Sequence, residues 1–164
     1  MGTRATIRLV CNGVSKKWYV QWDGDTLGSM LLRDLQLLLK AFGGDYEVIK
    51  RMVANLTAVD EDSKPTKEQI KQLFQFADIT VSNKSYEDWY CLLRRCQSSL
   101  VNTLTAGYYI EAGADNKQEF NWNLDFDANL FWYDDCPRFP IDQVPADWKA
   151  QCSAAIAHDD ASQH

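Results

Sequence analysis

Residues 5–22 read "ATIRLVCNGVSKKWYVQW", and their alternation decides the fold. Ala5, Ile7, Leu9 and Cys11 fall on one side of an extended chain, with Arg4, Thr6, Arg8 and Val10 on the other. Asn12-Gly13 is a dipeptide favoured in two-residue hairpin turns, because both residues accept a positive φ. Residues 16–22 alternate again, with Trp18, Val20 and Trp22 on one face and Tyr19 and Gln21 on the other. The stretch predicts a β-hairpin with one apolar face.

Beyond the hairpin the period changes. In "DTLGSMLLRDLQLLLKAFGG" (25–44), Leu27, Met30, Leu31, Leu35, Leu38 and Leu39 form a stripe at helical spacing. Asp25 or Thr26 can cap its start, and Gly43-Gly44 can end it. Residues 45–56 predict a second helix with Tyr46, Ile49, Val53 and Leu56 inward. After Pro65, Thr66-Lys67-Glu68-Gln69 is a capping box that opens a third, whose buried side is expected to be Ile70, Leu73, Phe74 and Ala77. A short strand is expected at 79–81, and one long helix from Ser85 through "YEDWYCLLRRCQSSLVNTL" to an exit at Gly107. The last third is aromatic and extended: "YYIEA", "EFNWNLDF" and "NLFWYD", with Asp127-Ala128-Asn129 as a turn. Pro145 opens a final helix over 146–156.

Strands, then helices, then strands describe an α+β fold. The expected architecture is an antiparallel sheet built from the N-terminal hairpin and the C-terminal strands. A block of helices packs on one face, and the other face stays more open. The 164 residues fit a single domain over 1–157 with a flexible C-terminal tail, 158–164.

Composition narrows the function. The net charge of -6 and pI near 4.8 disfavour direct nucleic-acid binding, which needs a basic face. An acidic protein suits a basic partner instead, such as a nucleic-acid-binding protein. The 12% aromatic content belongs either to the core or to a binding face.

Five cysteines, an odd number, and an opening segment without apolar character predict free thiols in a reducing, cytoplasmic compartment. Cys91 and Cys96 sit roughly 140° apart on a helix, poor for sharing a metal. The histidines, His158 and His164, fall in the tail, so neither a metal site nor a His-dependent triad is expected. No cofactor is expected either, since no Walker loop, G-x-G-x-x-G or G-x-S-x-G occurs. No apolar run reaches membrane-span length. Met1-Gly2-Thr3-Arg4-Ala5-Thr6 matches an acylation pattern, but no polybasic patch adjoins it, and it is read as coincidence.

The opening residues carry a likeness. "MGTRATIRLV", "YVQWDG" and the following Leu-Gly resemble an uncharacterised phage and bacterial family, also found in some fungi. Its members open with Met-Gly-Thr-Arg and close the first hairpin with Gln-x-Asp-Gly. A late segment similar to "YYIEAGADNKQEFNWNLDFDANLFWYDD" extends the resemblance over most of residues 1–135. The chain departs from the pattern at Asp25-Thr26-Leu27, where members carry an aromatic residue and a proline. The resemblance implies a phage or mobile-element protein, located in the host cytoplasm, and carries over no reaction.

Two candidate sites follow. The first is acidic and aromatic. From Glu111 to Asp135 seven acids meet one base, Lys117, with aromatics interleaved. Trp122, Asp125, Asp127, Trp132, Asp134 and Asp135 are the candidate partner-binding residues, the aromatics as anchors and the acids for steering. With the resemblance they imply an interaction protein that binds and inhibits a host protein, for example a nucleic-acid-binding defence complex, in the manner of an anti-CRISPR protein. The second is a polar pocket at the hairpin base, from Gly2, Thr3, Arg4, Gln21 and Asp23, for a small ligand or an enzymatic reaction. There Arg4 and Asp23 are expected to pair. Arg94-Arg95 is a further contact for phosphate or acid, or a solvated face. A self-associating structural domain is the third reading.

Overall fold

The hairpin forms as the alternation requires. In the computed structural model, which describes residues 3–78 and 87–153, β1 (Ala5–Cys11) pairs antiparallel with β2 (Val14–Val20). The register runs from Ala5 opposite Val20 to Cys11 opposite Val14. Asn12 and Gly13 turn with φ of 54° and 73°, the left-handed pair that a two-residue turn needs. Gly2, the expected strand at 79–81, the helix start at Ser85, residues 154–156 of the last helix and the tail lie outside the described residues.

Two positions of the second strand depart from the simple pattern. Trp22 lies beyond the strand and is 46% exposed, not on the apolar face. The chain turns away there, with Asp23 at φ 60°. At the other end Lys16 points to the core side and is 8% exposed. Its Nζ donates to the carbonyls of Val53, Ala54 and Leu56 at 2.8, 2.9 and 2.7 Å. They lie at the C-terminal end of α2, where carbonyls run short of helical partners, and Val53 O also accepts the Leu56 N–H at 3.2 Å. A buried cation is tolerated because all three donors are used.

The remaining elements, in order, are α1 (Leu27–Ala41), α2 (Tyr46–Asn55), β3 (Thr57–Val59), α3 (Lys67–Leu73), α4 (Trp89–Leu93), α5 (Leu100–Ala106), β4 (Tyr108–Ile110), β5 (Phe120–Asp125), β6 (Leu130–Tyr133) and β7 (Phe139–Pro140). The capping box of α3 is complete: Thr66 Oγ1 accepts from Gln69 N–H, and Gln69 Oε1 accepts from Thr66 N–H. Residues 148–153 are helical, with Trp148 N–H donating to Pro145 O at 3.1 Å.

The five-stranded sheet has the order β2-β1-β5-β6-β7. It joins the N-terminal hairpin to the C-terminal strands, with helices packed against it, as an α+β fold. It is mixed, not antiparallel throughout, because β1 and β5 run parallel from Ala5 opposite Phe120 to Val10 opposite Asp125. Parallel neighbours need a long crossover, and the helical block supplies one between β2 and β5. The "YYIEA" segment does not join this sheet. As β4 it pairs in parallel with β3 in a separate two-stranded sheet.

The long helix expected over 86–104 is divided. Ser99 is extended at φ -134°, and its hydroxyl caps α5 by accepting from Asn102 N–H. Serine competes with helix continuation through bonds of this kind. A short 3-10 turn at Cys96–Ser98 precedes the break.

Five of the six tryptophans are buried: Trp18, Trp89, Trp122, Trp132 and Trp148. The aromatic excess is therefore core material first. Trp122 sits where α1 begins. A Cβ added at Gly28 would land on the Trp122 ring and 2.8 Å from Trp148 Cη2. Trp122 Nε1 donates to Gly24 O at 2.7 Å, and Gly24 N–H donates to Thr3 O at 2.8 Å. The two glycines that close the hairpin motif thus let β1, β5 and α1 approach closely.

Candidate functional site

The hairpin base opens onto a cleft of about 800 Å³. Its walls come from the end of β2, from α4 and the turn after it, and from the chain leaving β4. Gln97, 5% exposed, fixes these walls to one another. Its Oε1 accepts from Ile110 N–H at 2.7 Å, its Nε2 donates to Tyr19 O at 3.0 Å, and its own carbonyl accepts from Trp18 Nε1 at 2.8 Å. The chain after β4 is held to the edge of β2 by Ala112 N–H donating to Lys17 O at 2.9 Å.

Aromatic and charged groups line this cleft. The guanidinium carbon of Arg94 lies 5.7 Å from the Trp22 ring centre and 5.4 Å from that of Tyr90, within cation–π range. Arg94 Nε is 3.8 Å from one Asp78 oxygen, and Arg95 Nε is 3.9 Å from the other. Asp78 is 4% exposed and sits between two cations. Asp23, Glu61 and Glu111 are exposed on the walls, with no ion pair among the described residues.

Of the expected hairpin-base pocket, Gln21 and Asp23 line this cleft, while Thr3 and Arg4 do not. Among the described residues no ion pair joins Arg4 to Asp23. The register places Arg4 one step beyond the Ala5–Val20 pair, opposite Gln21. The strand ends are tied by the Gly24–Thr3 backbone bond, and the Asp23 carbonyl accepts from the N–H and hydroxyl of Thr26, both at 3.0 Å.

The acidic-aromatic set is not one surface. Trp122 is 2% exposed and packs in the core, so it offers no anchor. Trp132 is on the opposite sheet face, 6% exposed, beneath Arg138 at 4.2 Å. Asp125 accepts from the N–H groups of Asp127 and Ala128, closing the β5–β6 turn. Asp127 accepts from Asn12 and Gly13 N–H, both at 2.8 Å, and these bonds hold its carboxyl below the usual aspartate range. Asp134 accepts from Asn121 Nδ2 at 2.7 Å, and burial pushes its carboxyl upward. Asp135 is exposed.

Arg94, Arg95, Gln21 and Asp23 stand out in the sequence, but their convergence with Tyr90, Glu61 and Asp78 does not. Those residues are far apart in sequence, and only the fold joins them. Trp22 was legible as a residue but was assigned to the wrong face. Among the described residues no group of three or more His, Cys, Asp or Glu is placed to hold a metal ion. No described helix is long and apolar enough to cross a membrane. No protein-family profile matches the chain, and neither a curated protein nor a solved structure matches it.

Proposed function

We propose that the protein is an interaction protein that takes a segment of a partner protein into the cleft at the hairpin base, with Trp22 as the anchor. The carrying observation is that Trp22, 46% exposed, is stacked on Arg94 beside the larger described cleft while the other tryptophans are buried. Trp, Tyr and Arg are the residue types that dominate binding energy at interfaces, and Trp22, Tyr90, Arg94 and Arg95 supply all three. A tryptophan left in water forfeits burial worth a few kcal/mol, on the order of 25 cal/mol per Å². Covering it recovers that term.

Charge sets the partner's chemistry. Arg94 and Arg95 share Asp78, whereas Asp23, Glu61 and Glu111 are unshared and exposed. A segment with Lys or Arg beside an apolar residue meets these acids and Trp22 together. Basic segments of this kind are frequent in nucleic-acid-binding proteins. The resemblance to a phage and bacterial family supports a host protein as the partner, such as a nucleic-acid-binding defence complex that the binding inhibits.

A photo-crosslinking residue at position 22 tests this. In host-cell lysate it is expected to attach to a protein that the same residue at position 14, on the exposed hairpin tip, does not capture. Equal labelling from both positions, or none from position 22, would sink the reading.

A further inference from the structure

The open face of the sheet carries a second cleft, of about 470 Å³. Arg8 on β1 and Lys17 on β2 stand directly opposite each other there, and Lys117 from the loop before β5 lines the same cleft. Like charges directly opposite in a sheet are destabilising. Burial, with Arg8 and Lys117 behind it, pulls the Lys17 ammonium below the usual lysine range. Glu111, Asp134 and Asp135 also line the cleft. Yet among the described residues no ion pair within 4.0 Å joins them to the three cations.

Arg8 and Lys17 are held in place, and all three cations have spare donors. Arg8 Nε donates to Asn123 Oδ1 at 2.8 Å, and the Trp132 ring lies 5.8 Å from its guanidinium carbon. The two Nη groups of Arg8 carry no hydrogen bond among the described residues, nor does Lys117 Nζ. Lys17 Nζ has one long bond, 3.3 Å, to Ala114 O.

We propose that this cleft binds a small multivalent oxyanion, a phosphate- or carboxylate-bearing molecule held by Arg8, Lys17 and Lys117. The free edge of the guanidinium matches two oxygens of such a group, and two ammonium groups complete the charge. The cleft has the size of a small-molecule site. The three acids in its walls oppose an extended polyanion and select a compact ligand whose hydroxyls they can accept from. The site is distinct from the Trp22 cleft, although Glu111 and Ala112 border both.

Isothermal titration with sodium pyrophosphate and, separately, sodium citrate tests the proposal, with chloride adjusted to equal ionic strength. Saturable binding of pyrophosphate assigns the phosphate class, and of citrate the carboxylate class. The Arg8→Gln and Lys17→Gln variants are expected to lose roughly tenfold or more in affinity. Lys117→Gln, in the exposed loop, gives the same answer without touching the sheet, and Trp22→Ala is expected to bind as tightly as the wild type. Without ligand, Lys17→Gln is expected to melt no lower than wild type, because it relieves the Arg8–Lys17 repulsion. Failure to bind either probe, heat that follows ionic strength alone, or unchanged affinity in Lys117→Gln and Arg8→Gln would overturn the assignment.

Discussion

The carboxylate of Asp127 holds the backbone of Gly13. Its Oδ2 accepts the Gly13 N–H at 2.8 Å, while Oδ1 accepts that of Asn12 at 2.8 Å. The tip of the first hairpin is thereby fastened to the turn between β5 and β6. These bonds depress the folded-state pKa of Asp127. Its contribution to stability is full above the unfolded value of about 3.9 and is lost as pH falls through the lower folded value. Asp127→Asn is expected to melt below wild type at neutral pH, with the gap closing under acid conditions. Thermal melts across pH check this, and a gap that persists at low pH would contradict the clamp.

Close packing at Gly28 gives a second expectation. A methyl group there meets the Trp122 ring and Trp148, and overpacking of this kind costs about 1–3 kcal/mol. Gly28→Ala is expected to lower the denaturant midpoint accordingly. Gly113→Ala, where a Cβ meets nothing within 4 Å, is the matched control and should leave it unchanged.

Lys16 is expected to matter as a helix cap. Lys16→Met keeps much of the apolar stem but takes the ammonium from the Ala54 and Leu56 carbonyls and from Val53 O, which keeps only the Leu56 N–H at 3.2 Å. Groups left unpaired in this way cost about 1–3 kcal/mol. Equilibrium unfolding in urea measures the loss, and hydrogen exchange should place it in α2. Unchanged stability would show that water replaces the ammonium.

All five cysteines are buried. Burial pushes the Cys96 thiol up to about 12 and that of Cys152 up to about 11, far from the thiolate form that reacts. A thiol reagent is expected to label none of them at neutral pH in the folded protein and all five on unfolding. Rapid labelling of the native state would show an opening that exposes a cysteine.

The hairpin, α1, α2, the α3 capping box and the β5–β6 hairpin were legible because each is specified by nearby residues. The parallel pairing of β1 with β5 was not, since strand order depends on a crossover through the whole helical block. The break at Ser99 was hidden by an apolar period that continues across it. The candidate sites were legible only in part. Alternation correctly placed Trp18 and Val20 inside, but Trp22 escapes it because the chain turns after Val20. The acids of the last third were visible as charges. Their use as internal acceptors, Asp125 in its own turn and Asp127 at the opposite hairpin tip, depends on contacts that a linear pattern does not contain.

Affinity capture from host-cell lysate with three tagged proteins of verified fold most directly tests the central claim: wild type, Trp22→Ala, and Asp134→Lys/Asp135→Lys. Trp22 is exposed and outside the strands, so its loss leaves the core intact. The account predicts a partner bound by wild type and by the double-lysine variant and lost with Trp22→Ala. A partner kept by Trp22→Ala and lost by the lysine variant would contradict it and return the interaction to the acidic end of β6.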